Sequence, residues 1–267
     1  MTIIAEQMTK TRLDVSFLWL ELTGRCGLRC THCYAGSGTE GTHGSMTSDD
    51  WQSVITSAGE LGIGMVQFIG EPTLHPQFAE LLAYAIGAGL AVEVYSNLTH
   101  VKDAWWDLLA RPNVCLATSY YSDLAAEHDA ITGRSGSHAR TLANIRHAVA
   151  LQIPVRAGIV AVHGGQRTGQ ARAELESIGV TRVRTDKVRA LGRAASLGVP
   201  DVSQLCGKCR SRDCCDPSLG RCVPVRHVEV ADRGQRPADS AGGHPGRPGH
   251  GRSYRRHPGQ IRHSLRP

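Results

Sequence analysis

The sequence predicts an α/β chain whose strands form an incomplete parallel (β/α)6 barrel. Three observations carry this. Short apolar runs alternate six times with stretches whose apolar residues recur at helical spacing, and strands that alternate with helices are joined in parallel by crossover connections. The first run leads directly into a loop with three cysteines, which places that loop at a strand's C-terminal end, where such folds build their sites. Gly70-Glu71-Pro72, Ser96-Asn97 and Ser119 then fall at the ends of the next three runs. A doubly wound open sheet shares the alternation and is the runner-up.

Residues 15–23 (VSFLWLELT) are a mostly apolar run of strand length. Residues 45–50 (SMTSDD) start a helix, with Thr47 or Ser48 as cap, and Trp51, Val54, Ile55, Ala58 and Leu61 follow at helical spacing. Residues 65–69 (MVQFI) read as the second strand. Residues 75–89 read as the second helix, with Phe78, Leu81, Leu82 and Ile86 as its apolar positions, and residues 91–95 as the third strand. The pattern continues with a helix over 101–110, a strand over 114–119, a helix over 139–151, a strand over 155–162, a helix over 167–177 and a strand over 181–184.

A chain of 267 residues can bury a sizeable core. No apolar run reaches the ~18 residues that span a bilayer, and the N-terminus lacks a signal peptide's order, so a soluble cytoplasmic protein is expected. The net charge of +6 is localised. Residues 232–267 hold eight Arg against two Asp, while residues 1–231 hold 22 basic and 22 acidic residues. A basic tail on a neutral body is weak support for a nucleic-acid partner, and none is expected.

Nine cysteines stand at 26, 30, 33, 115, 206, 209, 214, 215 and 222. An odd number, mostly bunched, fits metal binding in a reducing compartment better than disulfides. Cys26, Cys30 and Cys33 are spaced C-x3-C-x2-C in one short loop. Thiolates are soft ligands for iron–sulfur clusters and zinc. Three of them leave a four-iron cluster one ligand short, so an open iron can take a small chelating molecule. A zinc site with His32 as fourth ligand, or simply buried thiols, are the plainer alternatives.

In its setting, the loop Glu21-Leu22-Thr23-Gly24-Arg25-Cys26-Gly27-Leu28-Arg29-Cys30-Thr31-His32-Cys33-Tyr34 resembles the signature of the radical S-adenosylmethionine (radical SAM) family. The resemblance implies a [4Fe–4S] cluster on Cys26, Cys30 and Cys33, with S-adenosylmethionine bound at the open iron through its amino and carboxylate groups. Reductive splitting of the sulfonium would give a 5′-deoxyadenosyl radical, with the protein positioning and shielding it. A flavodoxin, ferredoxin or reductase is implied as electron donor. Gly70-Glu71-Pro72 is similar to the family's Gly-Gly-Glu-Pro, which holds the amino group of the cofactor's methionine. By the same resemblance Ser96 and Asn97 fall where ribose hydroxyls are held, Ser119 where a serine reaches the cofactor, and Arg140 downstream toward the carboxylate. Taken singly, Ser-Asn and Gly-Glu-Pro are turn sequences; their order at successive strand ends raises them.

One departure stands out: the family has two glycines before the Glu, whereas Ile69-Gly70-Glu71 stands here as though one residue were missing. A shifted turn would loosen a site that tolerates only about half an ångström of error and imply an impaired enzyme. Alternatively, Ile69 has moved up one place and the strand is shorter.

Residues 119–160 and 186–194 resemble the subgroup with a cysteine-rich SPASM or twitch module, which begins here at Leu205-Cys206-Gly207-Lys208-Cys209 and continues with Cys214, Cys215 and Cys222. Five cysteines within 17 residues point to metal ligation, and zinc suits Cys206 and Cys209 as well as iron does. The resemblance implies an auxiliary iron–sulfur cluster and a ribosomally made precursor peptide as substrate. A small-molecule substrate, such as a sugar or antibiotic intermediate, is the second reading. A catalytically silent iron–sulfur or zinc protein that binds a peptide is the third.

No cysteine follows Cys222, and residues 232–267 hold seven Gly, five Pro, eight Arg and four His. That composition cannot offset its ordering entropy and predicts disorder. Either a basic tether or a shifted reading frame in a GC-rich gene would produce it; the abrupt end of the resemblance near residues 210–230 favours the second and implies a truncated module. The expected division is therefore a partial barrel over 1–200, a shortened cysteine-rich segment over 201–231 and a disordered tail over 232–267.

Overall fold

The computed structural model describes residues 16–197 and, further on, the backbone of three two-residue strands. Six strands arise from the predicted apolar runs: β1 Phe17–Glu21, β2 Met65–Ile69, β3 Ala91–Tyr95, β4 Val114–Ser119, β5 Val155–Ala161 and β6 Arg182–Lys187. All pair in parallel, in the order β6-β5-β4-β3-β2-β1. Each new strand is added on the same side of its predecessor. Right-handed crossovers that never reverse direction keep every helix on one sheet face, which is the partial-barrel arrangement and overturns the doubly wound runner-up, whose strand order must reverse.

The helices between the strands are α1 Ser48–Glu60, α2 Phe78–Gly87, α3 Trp106–Leu109, α4 Ala125–Thr132, α5 Ser137–Ala150 and α6 Thr168–Ser177. Thr47 caps α1 in a reciprocal box: its side chain accepts from the Asp50 amide, and the Asp50 carboxylate accepts from the Thr47 amide. Two expectations need correction. Residues 101–110 form a 3-10 turn at Asp103–Trp105 and only one turn of α-helix, because Lys102 is extended and Pro112 disfavours helical geometry at Arg111. Helix α4 was not expected at all. Its sequence, AAEHDAIT, lacks a clear apolar stripe, and Gly133 in the left-handed region ends it.

Side chains alternate between the two faces of the strands. Leu18, Leu20, Val66, Phe68, Val92, Val94, Leu116 and Ile159 join Trp51, Ile55, Phe78, Leu81, Leu82, Ile145, Ala171 and Leu175 from the helices in one buried core. Each Val, Leu, Ile or Phe among them contributes roughly 1.5–3 kcal/mol by leaving water. The opposite face mixes apolar side chains such as Trp19, Ile69 and Val160 with a polar centre. There Glu93 accepts from Arg156 Nε at 2.9 Å and Nη2 at 2.6 Å, and from Gln67, forming a floor beneath the strand ends.

Beyond residue 197, β7 Cys215–Asp216 and β8 Arg221–Cys222 pair antiparallel with Cys215 opposite Cys222. Strand β9, Glu229–Val230, pairs in parallel with β1. Cys206, Cys209, Cys214 and the expected disordered tail lie outside the described residues. Among the described residues no helix is long and apolar enough to cross a membrane.

Candidate functional site

The end of β2 fixes the first wall of the site. Ile69 pairs with Glu21 inside the strand, so β2 runs its full predicted length and the turn begins cleanly at Gly70. There φ is +87°, and a Cβ would lie 2.1 Å from the Thr23 carbonyl oxygen. Glycine alone allows this approach. Pro72 follows in a buried 3-10 turn, Pro72–Leu74.

Glu71 is buried and fully engaged by the neighbouring strand end. Its Oε1 accepts from Thr73 Oγ1 at 2.6 Å and Ser96 Oγ at 2.7 Å, and its Oε2 from the Asn97 amide at 2.9 Å. Burial raises its pKa, and these three donors oppose the shift. Ser96 is thus a buried support, with its oxygen also accepting from the Leu98 amide at 3.0 Å. Asn97 reaches the open side, where its Nδ2 lies 3.5 Å from Cys26 Sγ.

The cysteine loop is braced from several directions. The Cys26 amide donates to Gly38 O at 2.9 Å, and Gly24 N to Thr42 O at 2.9 Å. The Arg29 and Thr31 amides donate to Thr132 O and Ile131 O, at 2.9 and 3.1 Å, tying the loop to the end of α4. Arg134 Nη1 donates to Gly27 O at 2.9 Å.

A cavity of about 320 Å³ lies between these pieces, the small end of the range for ligand sites. Cys26, Cys30, Cys33, Gly70, Glu71, Asn97 and Ser119 all line it. Ser119 Oγ is hydrogen-bonded to Tyr95 Oη at 2.9 Å. Pro72 and Ser96 stand behind the lining, and Arg140 is on the exposed side of α5, whereas its neighbour Thr141 lines the cavity. Residues the sequence reading passed over also contribute, chiefly Tyr121, His128 and Thr132. The first follows β4, and the other two lie on the unexpected α4; a Gly133 helix stop after Thr132 was their one local signal.

The donor set suits an iron–sulfur cluster with a polar ligand beside it. Burial, aided by the negative charge of Glu71, pushes the Cys26 thiol up to about 11, and burial with its two neighbouring cysteines pushes Cys30 up to about 12. Metal binding displaces such protons. Among the described residues no three His, Cys, Asp or Glu side chains converge on a single-ion position. Thiols spread around a cavity suit a cluster, in which each sulfur meets a different iron, better than they suit zinc. His32 Nδ1, Ser37 Oγ and His128 Nδ1 are buried without a hydrogen-bond partner in the protein, and all three residues line this cavity. Buried polar atoms require partners, so polar groups stand beside the cavity with hydrogen-bonding capacity unused by the protein. Burial pushes His32 and His128 down to about 4, so both present neutral rings.

The family model of the radical SAM superfamily matches residues 20–168, over half of the chain. The PqqA peptide cyclase of Rhodopseudomonas palustris is 27% identical over 143 residues, which are 53% of this chain and 38% of that protein. The AdoMet-dependent heme synthase of Methanosarcina barkeri is 32% identical over 127 residues, 47% of this chain and 36% of that one. The sporulation killing factor maturation protein SkfB of Bacillus subtilis is 28% identical over 181 residues, covering 66% and 43%. The chain thus spans less than half the length of these relatives. Among solved structures, Streptococcus suis SuiB bound to S-adenosylmethionine superposes with a TM-score of 0.58 at 16% identity, over 65% of this chain and 41% of that one; this likeness concerns the fold.

Proposed function

The chain belongs to the radical SAM superfamily, and from that premise we propose that it is a radical enzyme acting on a ribosomally made peptide. The observation that carries the reading is the convergence of the three cysteines and the turns after β2, β3 and β4 on one cavity. Cys26, Cys30 and Cys33 would hold a [4Fe–4S] cluster, and Gly70, Glu71, Asn97 and Ser119, which line the same cavity, would hold S-adenosylmethionine. The chemistry such a pair would supply, with an electron from an external donor, is reductive cleavage of the sulfonium for hydrogen abstraction.

The chain's own residues position and shield. Gly70 lets the backbone approach a ligand without a side chain between them. Glu71 locks the Ser96-Asn97 turn to the end of β2, and Pro72 starts the short turn that aims Thr73 at the same carboxylate. Asn97 bridges the cofactor wall to Cys26. Gln67, Glu93 and Arg156 form a hydrogen-bonded polar group across β2, β3 and β5.

The peptide reading is supported by relatives named PqqA peptide cyclase, subtilosin biosynthesis protein AlbA and SkfB. It also agrees with Cys206, Cys209, Cys214, Cys215 and Cys222 as ligands of an auxiliary cluster in a segment following the barrel. A small-molecule substrate is the second reading, favoured by the heme synthase among the relatives. The electron donor is a flavodoxin or ferredoxin, and a cytoplasmic location follows from thiolates that must stay reduced. The test supplies candidate peptides and small molecules deuterated at carbon, with cofactor and reductant under anaerobic conditions. Deuterium appearing in 5′-deoxyadenosine from a peptide supports the proposal; transfer only from a small molecule replaces it with the second reading.

A further inference from the structure

Arg193 lies 163 residues from Cys30 in sequence yet donates three hydrogen bonds to the cysteine loop. Its Nε reaches Cys30 O at 2.9 Å, Nη1 reaches Gly36 O at 2.9 Å and Nη2 reaches Ser37 O at 2.5 Å. Its backbone amide donates to Cys33 O at 2.9 Å. The preceding residue makes this approach feasible. Gly192 has φ +56°, and a Cβ there would lie 2.1 Å from Tyr34 O and 2.4 Å from Cys33 O.

From this geometry we infer that Arg193 is a positioning residue for the catalytic cluster: its guanidinium fork shapes the backbone on which Cys30 and Cys33 are carried and fixes a positive charge beside them. The inference rests on the radical SAM reading above and adds a residue outside the matched family region, residues 20–168. Two effects are separable. The fork satisfies three carbonyls that would otherwise face inward or wander, a geometric role that only a planar, multi-donor group fills. The charge stabilises the more negative, reduced state of a nearby cluster, a role that any cation there shares.

The test compares the reconstituted wild-type chain with Arg193→Gln, Arg193→Lys and Gly192→Ala. Three quantities are read: the rate of iron loss to a ferrous chelator, the cluster's reduction potential by titration with electron paramagnetic resonance, and hydrogen exchange of residues 26–38 in the metal-free protein. We expect Arg193→Gln to lose iron about ten-fold faster, to shift the potential more negative and to exchange faster in the loop. Arg193→Lys should restore the potential but not the iron retention. Gly192→Ala should loosen the loop while leaving the charge in place. Unchanged retention, potential and exchange in Arg193→Gln would overturn the inference, as would a fall in thermal stability alone. Should the wild type assemble no cluster, the functional reading fails, and loop exchange by itself then decides whether Arg193 positions the loop.

Discussion

Gly70 shows how one atom governs the site. A methyl group there would overlap the Thr23 carbonyl in a backbone region that side chains rarely adopt, so Gly70→Ala should cost at least about 2 kcal/mol of stability and weaken S-adenosylmethionine binding at least ten-fold. Denaturant titration and equilibrium dialysis check both. Glu71 matters differently, since it accepts three hydrogen bonds. Glu71→Gln turns one acceptor into a donor facing a donor and should cost roughly 1–3 kcal/mol, with disorder of Asn97 visible as loss of cofactor affinity. These roles were only partly legible. The order of cysteines, Gly-Glu-Pro and Ser-Asn at strand ends marked the region, but a turn sequence does not say which polar side chain faces a cavity and which one, like Ser96, lies behind it. Ile69 in place of a second glycine suggested a broken turn; the strand simply runs to Ile69, and the single glycine carries the tight approach.

Among the elements, the strands were the easiest to read because runs such as MVQFI are buried on both faces and bounded by glycine or polar turns. Helix α1 was read from the same logic, and its cap can be tested directly. Thr47→Ala removes the hydroxyl that accepts from the Asp50 amide and should lower stability by about 1 kcal/mol, measured as a shift in the denaturation midpoint with the slope unchanged. Helix α4 escaped because its polar and small residues give no helical stripe. It is nonetheless held on the cysteine loop through the Arg29 and Thr31 amides, and it brings His128 to the cavity. Arg193 escaped for a related reason, because nothing local in Gly192-Arg193-Ala194 reveals a partner so distant in sequence.

At the scale of the whole molecule, buried histidines make the fold acid-sensitive. His75 and His128 are 4% and 1% exposed, and burial pushes each down to about 4 from an ordinary 6.5. Between those values the unfolded chain binds more protons than the folded one, so stability should fall as pH drops from about 6.5 to about 4, by up to about 3 kcal/mol per histidine. Asp123, held below the usual carboxylate range by Arg167, acts only at lower pH. Denaturation midpoints across that window should depend less on acidification in His75→Gln or His128→Gln than in the wild type; equal pH slopes in variant and wild type would contradict the assignment. The parallel order of the sheet was visible in the alternation of elements; its single direction of winding, which that alternation does not distinguish from a doubly wound sheet, was expected from the first strand feeding the cysteine loop and agrees with the order β6-β5-β4-β3-β2-β1. In the proposed function, three cysteines lining one cavity would hold the cluster from which an adenosyl radical is generated. The measurement that tests it is anaerobic reconstitution with iron and sulfide, then reduction by dithionite in the presence of S-adenosylmethionine, with 5′-deoxyadenosine quantified beside a Cys33→Ala control. Production of 5′-deoxyadenosine by the wild type, with at least about four irons per chain and none from the control, is the predicted result; a fully formed cluster that leaves S-adenosylmethionine intact would contradict it.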